Sequence, residues 1–138
     1  MTLLQLAIGL STRFNDQIGN VAVEYDNAPL MKNGVKVNKP TNEPWIRCAV
    51  KLGDPAKVQT GGRSLYRRAG VLIAQVFCPL NTGDATGLEL AETIVTAFRG
   101  YTGMTHARFR EPRVENIGRN ENEWQINVTC PFEADTFA

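Results

Sequence analysis

The side chains able to do chemistry in this 138-residue chain are few: one histidine, three cysteines, a Gly61-Gly62-Arg63-Ser64 tetrad, and a set of lysines and arginines. A metal site needs convergent ligands. His106 stands between Thr105 and Ala107 with no cysteine beside it and no HExxH spacing. A cysteine–histidine nucleophile pair needs a thiol in an exposed, electropositive setting that lowers its pKa. Cys48, Cys78 and Cys130 instead lie inside apolar strand patterns, without CxxC spacing, and read as buried, reduced thiols behaving as small hydrophobes. Gly61-Gly62-Arg63-Ser64 lacks the lysine that follows the second glycine of a P-loop. It also precedes a strand pattern, whereas a phosphate cradle opens a helix, so it reads as a flexible tip. Glu121 and Glu123 flank a turn and read as solvated loop charges. No GxSxG or GxGxxG is present. The expectation is a protein that is not an enzyme and needs neither metal nor cofactor.

The cations form two groups. Lys51, Lys57, Arg63, Arg67 and Arg68 surround residues 53–65, opposed within that stretch only by Asp54; Arg108, Arg110 and Arg113 mark a later strand candidate, where Arg108 and Arg110 project to one face. Single-strand nucleic-acid binders interleave such charge with aromatic stacking platforms, and only Tyr66 and Phe109 are available here. A charged protein interface therefore ranks above DNA contact, with an ordinary solvated face as the remaining alternative. The net charge of +1 argues against a general nucleic-acid or acidic-membrane binder. It is unevenly spread: residues 1–70 hold ten Lys/Arg against five Asp/Glu, and residues 71–138 hold five against nine. Such polarity suits a surface that meets copies of itself or a charged neighbour.

The elements that must position these residues follow from periodicity. Leu3, Leu6, Ala7, Leu10, Phe14 and Ile18 recur at helical spacing behind a Thr2/Gln5 capping box, predicting a helix over 3–17. Residues 21–25 read as a short strand, and Asn33-Gly34 suits either a small hairpin or a surface loop. Residues 45–52 alternate and 71–78 run apolar up to Pro79, so each reads as a strand, with a loop over 53–65 far longer than a hairpin needs. Thr82 or Asp84 caps a second helix whose apolar face is Ala85, Leu88, Ala91, Ile94, Val95 and Phe98, ended by Gly100. Residues 108–115 read as a charged strand, 116–122 as turn, and the last strand sends Trp124, Ile126, Val128, Cys130 and Phe132 one way and Gln125, Asn127 and Thr129 the other. One domain over 1–138 follows, α+β in class, a mostly antiparallel sheet with both helices packed on one face. The N-terminus lacks a basic n-region and a cleavage site, and no apolar run approaches membrane-spanning length; synthesis in the cytoplasm and no membrane partner are expected.

The whole pattern resembles the tail-terminator (tail-completion) proteins of long non-contractile-tailed phages. The resemblance rests on the N-terminal helix, Glu24-Tyr25-Asp26-Asn27-Ala28-Pro29 before a polar loop, Pro44-Trp45-Ile46-Arg47, and Gly61-Gly62. It continues through Tyr66-Arg67-Arg68-Ala69-Gly70 leading into Leu72-Ile73-Ala74-Gln75-Val76-Phe77, Ala91-Glu92 with Ile94, and Trp124-Gln125-Ile126-Asn127-Val128 with Pro131-Phe132. It implies a structural virion protein that caps the tail tube as a homo-hexameric ring at its head-proximal end. Such a ring ends tube polymerisation and offers the surface for head–tail joining. The partners implied are copies of the chain, the tail tube protein and head–tail connector proteins, with DNA passing transiently through the lumen; another neck or minor tail protein is the nearest alternative. On this reading Lys57, Gly61, Gly62, Arg63, Tyr66, Arg67 and Arg68 form a docking segment that orders on a neighbour. Arg108, Arg110 and Arg113 then supply a basic face toward the lumen or an interface.

Overall fold

The computed structural model describes residues 1–59 and 64–137. Helix α1 (Leu3–Ile18) starts where expected: Gln5 N–H donates to the Thr2 hydroxyl at 3.1 Å and Thr2 N–H to Gln5 Oε1 at 2.9 Å, closing the capping box. Leu6, Leu10, Phe14 and Ile18 give it one buried stripe, and Gly19, at φ 75°, ends it. Strand β1 (Ala22–Glu24) is followed by a hairpin of β2 (Met31–Lys32) and β3 (Val35–Lys36). Asn33 and Gly34 have φ of 52° and 78°, the two positive values a type I′ turn requires, so the hairpin is what this dipeptide makes.

The remaining elements are β4 (Trp45–Leu52), β5 (Ala56–Gln59), β6 (Leu65–Pro79), α2 (Ala85–Phe98), β7 (Ala107–Phe109), β8 (Arg113–Asn120) and β9 (Glu123–Thr136). Among the described residues they form one sheet in the order β3-β2-β1-β4-β6-β9-β7, with β5 beside β6 and β8 beside β9. Every pairing is antiparallel except β1 with β4. The spine is β6 with β9, in unbroken register from Tyr66↔Thr136 to Pro79↔Glu123.

Alternation along that spine separates the two faces. Leu72, Ala74 and Val76 of β6 and Ile126, Val128, Cys130, Phe132 and Ala134 of β9 are buried in one cluster with Leu6, Leu10 and Phe14 of α1 and Ala91, Ile94, Val95 and Phe98 of α2. Both helices thus cover the same face. The class is α+β. A smaller cluster of Ala22, Leu30, Trp45 and Phe77, with Val37 against it, lies apart from that core. There the Trp45 and Phe77 rings stack at 4.5 Å and the indole Nε1–H donates to Glu123 Oε2 at 2.6 Å.

Three expectations about elements are corrected. Residues 53–65 are not one long loop: Pro55 is followed by β5, which pairs Ala56 with Arg67 and Lys57 with Tyr66, so Tyr66, Arg67 and Arg68 lie in a strand. Residues 108–115 are not one strand, because Arg110, Glu111 and Pro112 break it into β7 and β8, both laid on β9. Residues 116–122 are not a turn throughout. A bulge between Asn116 and Gly118 absorbs the irregular sequence, β8 runs on to Asn120, and the tight turn carries Glu121 at φ 36°. Ala91, Ile94, Val95 and Phe98 of α2 are buried as expected, and only its first turn differs. Leu88 is 37% exposed, and Gly87 faces the sheet, where an added Cβ would stand 2.8 Å from both Cys78 Sγ and Ile126 Cδ1.

Candidate functional site: a charged patch on the helix-free face of the sheet

The sheet brings together two basic groups that lie forty residues apart in sequence. Arg67 sits on β6 opposite Asp135 of β9, and Arg108 sits on β7 opposite Glu133 of β9. Odd-numbered positions on β6 and β9 point away from the helices, so these four side chains share the helix-free face. Arg67 Nε and Nη2 donate to Asp135 at 2.9 and 3.2 Å, and its Nε lies 3.3 Å from Glu133. Arg108 donates to Glu133 at 3.0 Å and to Asp135 at 3.2 and 3.3 Å, while Arg110 approaches Glu133 at 3.7 Å.

Three guanidiniums therefore share two carboxylates. The Arg67 guanidinium, with Arg108 behind it, holds the Asp135 carboxyl down at about 2, despite a residue exposure of only 7%. The arginines themselves remain 42 to 74% exposed at the side chain. The patch thus presents positive edges outward on a negative base. Arg113 lies further along the same face, on β8 opposite Thr129.

The residues expected to form a docking segment are divided by the same ladder. Lys57 is exposed on β5 beside Tyr66. Tyr66 and Arg68 take the helix side of β6, opposite Thr136 and Ala134, and are half-buried, so they do not share a face with Arg67. Gly61, Gly62 and Arg63 lie outside the described residues. What sequence reasoning missed is the acidic partner set: Glu133 and Asp135 follow Phe132 in a tail that gives no turn or helix signal. Continued alternation through Phe132, Ala134 and Thr136 is the sign that β9 extends that far.

The residues weighed for catalysis are placed differently. Cys48, Cys78 and Cys130 are free and buried, and burial pushes the Cys48 and Cys130 thiols up to about 12, the opposite of an activated thiolate. His106 lies in the turn before β7, where its carbonyl accepts the Asp135 N–H at 2.9 Å. Among the described residues no three His, Cys, Asp or Glu side chains are grouped as metal ligands, and no helix is long and apolar enough to cross a membrane.

Fold and patch together define a small α+β protein with a cluster of paired charges on a helix-free sheet face. The family model of the phage tail terminator proteins matches residues 10–132, and the chain belongs to that family. Its role is accordingly structural, in the tail of a bacteriophage virion. No curated protein matches the sequence. One solved structure, of a protein whose name states no function, aligns over 97% of this chain and 96% of its own, with a TM-score of 0.71 at 14% identity. That likeness bears on the fold alone.

Proposed function

We propose that this chain closes the head-proximal end of a phage tail tube. Copies assemble as a ring, typically a hexamer, on the last layer of tube subunits; the ring stops polymerisation and presents the surface that head–tail connector proteins join. The carrying observation, in a member of the tail terminator family, is the helix-free sheet face bearing Arg67, Arg108, Arg110 and Arg113. Both helices are spent on the core side, so this face is available to other chains. The arginines on it are already held by Glu133 and Asp135, which gives a rigid, mixed-charge surface with fixed donors. Such a surface suits specific protein contact, and the net charge of +1 suits a lumen that lets DNA pass without gripping phosphate.

In this reading Lys57, Gly61, Gly62, Arg63, Tyr66, Arg67 and Arg68 meet the tube. The test is electron microscopy of purified protein mixed with polymerising tail-tube subunits. Rings seated on tube ends are expected; bare tube ends at excess protein contradict the proposal. Affinity for isolated tubes compared with DNA-filled heads separates a tube cap from another neck protein.

A further inference from the structure

Beside the arginine patch, the helix-free face of the sheet carries a recess of about 440 Å³. Lys51, Val71 and Pro131 stand in one row across β4, β6 and β9, and Ala69 and Arg110 lie on the same face. The recess is open because its floor lacks side chains: Gly53 and Gly70 contribute backbone, and Ala69 a single methyl. Two apolar side chains, Val71 and Pro131, and two cations, Lys51 and Arg110, make its walls. Lys51 has no ion pair among the described residues, and Arg110 has a long one, to Glu133 at 3.7 Å. Glu111, next to Arg110 in sequence, is held instead by Arg99 at 2.8 Å. Around the recess, Arg67 and Arg108 offset Glu133 and Asp135, which leaves Lys51, Arg110 and Arg113 against Asp54 and Glu115.

A matching surface lies on the opposite side of the molecule. α2 turns Ala85, Leu88, Glu89, Glu92 and Thr96 to solvent in one stripe, and from Ala85 to Phe98 it holds those two glutamates and no Lys or Arg. Arg119 lies near the start of the helix, where it shares a recess with Asp84. Leu88, 37% exposed, is an apolar side chain that its own fold leaves uncovered. Its charge setting separates it from the other exposed large apolar side chains among the described residues. Those on strands stand near a lysine or arginine of the same strand, and Leu3, Leu4 and Ile8 of α1 have no carboxylate within two helical turns.

We propose that the first half of α2 on one copy of this chain docks into the recess on the next, with Leu88 between Val71 and Pro131 and the Glu89 and Glu92 carboxylates on Lys51 and Arg110. This rests on the ring reading above and names the surfaces that build the ring. The two surfaces lie on opposite sides of one sheet, so a copy cannot satisfy itself and the contact repeats head to tail. A two-fold contact through either surface alone would set like charges together.

The experiment uses the full chain with charges reversed in pairs: Lys51→Glu/Arg110→Glu in the recess, and Glu89→Lys/Glu92→Lys on the helix. All four side chains are exposed, and unchanged circular dichroism and Tm check that folding is retained. Analytical ultracentrifugation across a concentration series should show wild-type self-association and at least ~10-fold weaker association of each variant alone, since each sets like charges in contact. Leu88→Asp should weaken association as well, by placing a carboxylate among apolar walls. An equimolar mixture of the two charge-reversed variants should recover association to within ~3-fold of wild type, because each recess then meets a helix of opposite charge. Wild-type-like association of any of the three variants, a mixture no tighter than its components, or a wild type monomeric at every concentration overturns the assignment. The wild type is added in parallel to polymerising tube subunits. Capping alongside an overturned contact leaves the proposed function standing; no capping alongside a recovered mixture leaves the contact standing and removes that function.

Discussion

At the scale of single residues, Asp135 accepts from two guanidiniums, those of Arg67 and Arg108. Its carboxyl, held at about 2 by Arg67 and Arg108, lies below the ordinary aspartate value of about 4. A depressed carboxylate stabilises the fold above its unfolded pKa, and that contribution is lost as pH falls through the folded one; acid sensitivity from this group is therefore expected between about pH 4 and pH 2. Asp135→Asn should remove that part of the acid limb and lower Tm near neutral pH by roughly 3–5 °C, read by thermal melts across pH. The three thiols lead to a second expectation. Buried, and with the Cys48 and Cys130 thiols pushed up to about 12, they should resist alkylation at pH 8 in the native protein and react fully in denaturant. Rapid native labelling would contradict the packing. Glycines offer a sharper contrast. At Gly70 an added Cβ would stand 2.6 Å from the Phe132 ring and 3.0 Å from the Lys51 carbonyl oxygen, so Gly70→Ala should cost about 1–3 kcal/mol in urea unfolding. At Gly9 the obstruction is the flexible end of Met104, and Gly9→Ala should be neutral or stabilising by up to about 1 kcal/mol through helix propensity.

At the scale of elements, legibility followed the strength of local pattern. α1 was readable to within a residue because stripe and capping box agree, and Thr2→Ala should cost about 0.5–2 kcal/mol in chemical denaturation by removing the hydroxyl that accepts the Gln5 N–H. β4 and the centre of β6 were readable because their apolar alternation is long. β5 was not: Ala56-Lys57-Val58-Gln59 is too short and too polar to declare itself, and it is a strand only because β6 extends past β4 and leaves Tyr66 and Arg67 to be paired. β8 was hidden in the same way, since its eight residues are exposed or half-buried and their partner β9 dictates the conformation. The first turn of α2 had no local signal either; there Gly87 approaches Cys78 and Ile126 closely. The cations of the candidate site were visible as residues, but their grouping was not, because it depends on the register of three strands across the tail of β9.

At the scale of the whole molecule, the fold spends both helices on one face of the sheet and leaves the other face charged and helix-free. A head-to-tail assembly either closes into a ring or grows without limit, and the proposed function requires the first. The proposed ring ends a tube. The most direct measurement is the length distribution of tail tubes polymerised in vitro while the molar ratio of this protein to tube subunit is raised. Tube growth should stop earlier as the ratio rises, with a ring of constant mass on one end of each tube. A length distribution unchanged at saturating protein would contradict it.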